Sequence, residues 1–91
     1  MSEYTRMLVS SENMAEAKYR ILEKLHHRLQ QHGPLSYASA HEILGIVAEE
    51  YHELVEAVQS NDCKEIESEL IDIAVGCLFG VASLLELGKI E

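Results

Sequence analysis

The chain has no tryptophan, one proline, one phenylalanine and two cysteines among its 91 residues. Cys63 and Cys77 belong to no close Cys/His set, so neither a zinc site nor a disulfide framework is expected, and they read as reduced thiols of a cytoplasmic protein. Positive charge is scarce as well. Seven Lys+Arg stand against 16 Asp+Glu, a formal net charge of -9, which disfavours contact with a nucleic-acid polymer or an anionic membrane surface. No basic segment followed by an apolar one opens the chain, so no signal peptide is expected. The apolar run from Ile73 to Leu85 falls short of the roughly 20 residues needed to span a bilayer, and Asp72 and Glu86 flank it, so no membrane partner is expected.

What is present is helical periodicity. Residues 1–10 show no clear period and read as a loose arm on a single domain covering 1–91. Ser10 or Ser11 offers an N-cap, after which Met14, Ala17, Ile21, Leu22, Leu25 and Leu29 recur at three- and four-residue steps. Gly33 and Pro34 stop that helix. A second opens at "SAHE", where Ser39 and Glu42 form a capping box, and runs to about Ser60. A third opens at "DCKE" with Asp62 as cap and continues to Gly88. The expected fold is all-α, an antiparallel bundle of three main helices. A chain this short buries only about 60% of the surface its unfolded form exposes, so help from a second copy is expected.

The acids are not distributed as a solvated face would have them. Turning the second helix by about 100° per residue gives an apolar stripe of Ile43, Val47, Tyr51, Leu54 and Val58, with Glu50 inside it and Glu53 on its margin. Glu49, His52 and Glu56 project to the far side. On the third helix Glu69 and Asp72 lie one turn apart at the entrance to the apolar segment. The tight turn makes these helices antiparallel. Glu50 and Glu53 precede it, and Glu69 and Asp72 follow it, by the same eight to eleven residues, so equal rises bring the pairs level. Four carboxylates cannot all ionise together in a low-dielectric site without counter-charge. Hard divalent cations, Mg²⁺ or Mn²⁺, prefer such oxygen donors, so an ExxE and ExxD metal site on facing helices is expected.

"EEYHEL" followed by "ESELIDIA" resembles the EExxE…ExxD signature of the MazG-like, all-α nucleoside triphosphate pyrophosphatase superfamily, and "HGPLSYASAHEILGIVAEE" resembles the lead-in of its small, phage-associated members. The resemblance covers roughly residues 25 to 85. It implies that Glu50, Glu53, Glu69 and Asp72 hold Mg²⁺, and that a nucleotide is cleaved at its α–β phosphoanhydride to a monophosphate and pyrophosphate. Glu53 would orient or deprotonate the attacking water. Glu49 matches the first acid of the motif, in a second-layer or surface role. The resemblance further implies a homodimer or homotetramer, the helices assembling into a four-helix-type bundle.

Candidate substrate contacts are fewer. Lys24 and Arg28 on the first helix are candidates for phosphate contact, with surface packing or salt bridges as the alternative. Tyr37 either stacks on a base or covers the end of the bundle. His26, His27, His32 and His41 are read as helix-surface or helix-end residues. Only Lys64 and Lys89 add positive charge beyond position 28. Gly76, Gly80 and Ser83 form a small-residue strip that invites close approach of another helix, expected from a partner subunit. Three alternatives compete with the hydrolase: a non-catalytic oligomeric module that binds metal or ligand on the same fold, a phosphoribosyl-ATP pyrophosphohydrolase, and a plain bundle with solvated acids. The first requires Lys24 and Arg28 to face away from the acids.

Overall fold

Capping decides where each helix begins. The structure, a computed structural model, describes residues 5–88, so Lys89 and the first four residues of the expected arm lie outside the described residues. Residues 5–10 are exposed and have no regular secondary structure. Helix α1 spans Ser11–His32, and the side chain of its cap Ser10 accepts from the Asn13 amide at 3.1 Å. It stops where Gly33 turns to φ 78, a left-handed angle that glycine takes without strain. Helix α2, Ala40–Ser60, is capped by Ser39, which accepts from the Glu42 amide at 3.2 Å. Glu42 accepts from the Ala38 amide, at 3.4 Å, one residue past the Ser39 amide that the expected capping box would use. Asn61 makes the turn at φ 58, and the Asp62 carboxylate caps α3, Cys63–Leu87, through the Lys64 and Glu65 amides. Gly88 follows at φ -63, still right-handed, so α3 ends without a left-handed glycine.

Three helices and, among the described residues, no strand make the chain all-α, as expected. Helix α3 is the shared element. It packs on α2 and, less extensively, on α1, whereas α1 and α2 never bring Cα atoms within 8 Å of each other. The core is small and centred on α3, where Val75, Gly76, Phe79, Gly80 and Ser83 are buried, Phe79 and Ser83 against Tyr37; Ala57, nearer the α2–α3 turn, is the one buried residue of α2. Helix α1 has no buried residue, and half of its expected stripe, Met14, Ala17 and Leu22, is exposed. On α2, Tyr51 departs from the expected stripe at 62% exposed, and Ile46 and Ala57 face inward with Ile43, Val47 and Leu54.

Two expectations change here. The glycine strip on α3 is used within the chain: a Cβ on Gly80 would lie 3.1 Å from Ile43 Cγ2 and one on Gly76 3.9 Å from Ile46 Cγ2, so α2, not a partner, makes the close approach. Helix α3 is also long and apolar enough, by length and composition, to cross a membrane, because helical residues on both sides of the run from Ile73 to Leu85 lengthen it. Only 28% of that apolar window is buried within the chain.

The molecule is correspondingly open. Its radius of gyration is 15.2 Å, against about 12 Å for a compact domain of this length. It exposes 7280 Å², against about 5300 Å² for a compact monomer of 10.2 kDa.

Candidate metal centre

The α2–α3 hairpin brings acids from both helices to one place. Carboxylate oxygens of Glu50, Glu69 and Asp72 lie within 4.8 Å of one another, all three residues half-buried. Glu53 adjoins them through Glu69, whose carboxyl donates to it when protonated, so the fourth acid of the two motifs borders the cluster of three. Asp72 stands one turn before the buried Val75 and Gly76, which is why a carboxylate on so apolar a helix is held at the hairpin seam.

This closeness has an electrostatic cost. The Glu69 carboxyl is pushed up to about 7, first by burial, then by the hydrogen bond and charge of Glu53, and then by Asp72 and Glu50. Glu50 is also raised, by burial and by the charges of Asp72, Glu53 and Glu49, against a lowering influence from Lys24. Oε2 of Glu50 and Oε2 of Glu69 are buried and have no hydrogen-bond partner. Buried anionic oxygens normally find a donor, and two orphans on residues of one acidic cluster are what a cation would satisfy. The donors are all carboxylate oxygens, which suits Mg²⁺ or Mn²⁺ rather than a soft metal.

Helix α1 adds positive charge at the same place. Lys24 Nζ is 3.4 Å from Asp72 Oδ1. A groove of about 380 Å³ runs beside the acids, lined by Lys24, Arg28, Tyr37, Glu49, Glu50 and Asp72 among others. All three candidate substrate residues therefore line one groove with two of the four acids. Glu49 is exposed, as expected, yet it borders the groove, and His52 and Glu56 pair with each other at 3.5 Å on the far side. A second groove, about 810 Å³, opens between α1 and α3; Lys24, His27 and Asp72 border both grooves, and Arg20, His26 and Lys64 are among the other residues that line the second. Arg20 is already committed to Glu16 and Glu67. His41 is exposed and borders neither groove.

Tyr37 does not stand free to stack on a base. It is 5% exposed, its ring meets Phe79 edge-on with centroids 5.1 Å apart, and the Arg28 guanidinium lies over it. It packs on Phe79 and Ser83 while still bordering the groove. The aromatic pair with Arg28 and the bond from the Tyr37 amide to Ser83 Oγ, at 2.9 Å, went unseen in the sequence. The available signal was the lone phenylalanine, which lies two turns beyond Asp72 on the buried face of α3.

No curated protein and no solved structure matches the chain. The sequence model of the MazG nucleotide pyrophosphohydrolase domain matches residues 38–91, a span that contains α2, α3 and all four clustered acids and leaves out α1. The match covers more than half of the chain, which therefore belongs to the MazG nucleotide pyrophosphohydrolase family.

Proposed function

We propose that this chain is a Mg²⁺-dependent nucleotide pyrophosphohydrolase that cleaves the α–β phosphoanhydride of a nucleoside triphosphate. The reading rests on the cluster of Glu50, Glu69 and Asp72 with its two orphaned buried oxygens, in a chain of this family. Bound there, Mg²⁺ supplies counter-charge to the acids and stabilises negative charge developing on the phosphates. Glu50, Glu69 and Asp72 are the closest set of donors, with Glu53 completing the site. Glu53, outside that closest set and beside Glu69, takes the proton of the attacking water. The water oxygen bonds to the α-phosphorus, the bond from that phosphorus to the bridging oxygen breaks, and pyrophosphate leaves with the electron pair. Lys24, beside Asp72, offsets charge on the phosphate chain.

A non-catalytic binding module has less support, because it requires Lys24 and Arg28 to turn away from the acids and both border the groove beside them. The test is a panel of common and modified nucleoside triphosphates with Mg²⁺, assayed for pyrophosphate. Glu53→Gln is expected to lower kcat by about 10² to 10⁴. Equal turnover by variant and wild type would remove Glu53 from its role, and no turnover of any substrate would leave the binding module as the better reading.

A further inference from the structure

Arg28 is an anomaly in so acidic a chain. It is half-buried, whereas every other lysine and arginine among the described residues is exposed, and it pairs with no carboxylate among those residues, although Glu50 and Asp72 line its groove. A mobile guanidinium would settle on such acids. This one is held elsewhere: its carbon lies 4.6 Å from the centre of the Phe79 ring and 5.2 Å from that of Tyr37, and its Nη2 donates to the Tyr37 hydroxyl at 2.8 Å. Guanidinium is weakly hydrated and stacks well on aromatic faces, so the arrangement is favourable in itself. Tyr37 is fixed in turn by Phe79 and by the hydrogen bond its backbone N–H donates to Ser83 Oγ, and Ser83 is only 1% exposed. One of five N–H donors is used by Tyr37.

We infer that Arg28 is a preorganised phosphate-binding residue and that Tyr37 is the positioning residue that acts through it. The ligand class is a pyrophosphate or the phosphate chain of a nucleotide, and the inference rests on the reading of this groove as the nucleotide site. A planar fork accepts two phosphate oxygens at once, and holding it in advance removes the side-chain entropy that binding would otherwise cost. Keeping it off Glu50 and Asp72 leaves those acids to a cation and leaves the fork to an anion. Lys24, one turn earlier on α1, sits at the acids themselves, so the two cations divide the groove between its metal end and its aromatic end.

The test titrates inorganic pyrophosphate, in the presence of Mg²⁺, into the full-length wild type, Arg28→Gln, Arg28→Lys and Tyr37→Phe, with Mg²⁺ alone titrated in parallel. Arg28→Gln should weaken pyrophosphate binding about tenfold to a hundredfold, and Tyr37→Phe about threefold to tenfold, with Mg²⁺ binding unchanged in both. Arg28→Lys should fall between them, and it carries the comparison with Tyr37→Phe if Arg28→Gln does not fold. In turnover Tyr37→Phe should raise KM more than it lowers kcat, whereas a merely structural Tyr37 would lose Mg²⁺ and pyrophosphate affinity together. Unchanged pyrophosphate affinity on loss of the Arg28 fork, or a wild type that binds no pyrophosphate with Mg²⁺, overturns the inference. Arg28-dependent binding without hydrolysis of any nucleotide instead removes the hydrolase reading and leaves this one standing.

Discussion

Glu69 couples the site to pH. Its carboxyl is raised to about 7 from an ordinary 4.5, so between those values the folded chain holds a proton that the unfolded chain has released. By linkage, this residue's contribution makes the metal-free protein less stable as pH rises through that window. Divalent metal needs the deprotonated form, so its affinity moves the other way. Thermal melts in chelator should therefore give a higher midpoint near pH 5 than near pH 8, and added Mg²⁺ should stabilise by more at about pH 8 than at about pH 5. Glu69→Gln should raise the metal-free midpoint by a few degrees, flatten its pH dependence and abolish the Mg²⁺ effect. A variant that melts like the wild type in both conditions would mean that Glu69 does not share charge with its neighbours.

At the level of the helix, Gly80 and Gly45 make opposite predictions from the same residue type. Gly80 meets Ile43 across the α2–α3 seam, and a larger side chain would force the helices apart, so Gly80→Val should cost about 1–3 kcal/mol in urea unfolding. Gly45 has nothing within 4 Å of where a Cβ would be, so Gly45→Ala should stabilise by about 0.5–1 kcal/mol through helix propensity alone. A neutral Gly80→Val would show that the seam is looser than drawn. This seam also marks how far the sequence could be read. Caps and breakers are local, so Ser10, Ser39, Asp62 and Gly33 placed the helix ends closely. Antiparallel pairing across a short turn is nearly local too, which is why Glu50 and Glu53 could be set level with Glu69 and Asp72. What escaped depended on which helix lies against which. The angular position of Tyr51 was compatible with the core, yet its side of α2 meets no other helix of the chain. The Arg28, Tyr37 and Phe79 cluster joins residues from α1, a loop and α3, and no periodicity relates such distant positions.

The whole molecule carries more apolar surface than a finished monomer would. Leu44, Tyr51, Leu70, Val81, Leu84 and Leu85 are all exposed, Leu85 at 69%, and the surface exceeds that of a compact monomer of equal mass by about 2000 Å². Covering that excess on each of two copies would bury about 4000 Å² in total, within the range of obligate homodimer interfaces. We propose that a second copy covers it, and sedimentation should report at least a dimer, with Leu85→Asp shifting the protein toward monomer and lowering its melting temperature. A monomer that floats with lipid vesicles would instead assign the apolar side of α3 to a membrane. The dependence of α1 and α2 on a common neighbour has a consequence in time. Helices α2 and α3 are joined by a short turn and can pair early, whereas α1 packs on no helix but α3 and must close a longer loop to reach it. The half of the molecule that bears the acids then forms first, and Lys24 and Arg28 arrive last. The same order should govern partial opening of the folded protein, with amides of α1 exchanging with solvent well before those of α3 around Val75 to Gly80. Equal protection of the two helices would show instead that the chain opens as one unit, and that anion and cation are never parted short of complete unfolding.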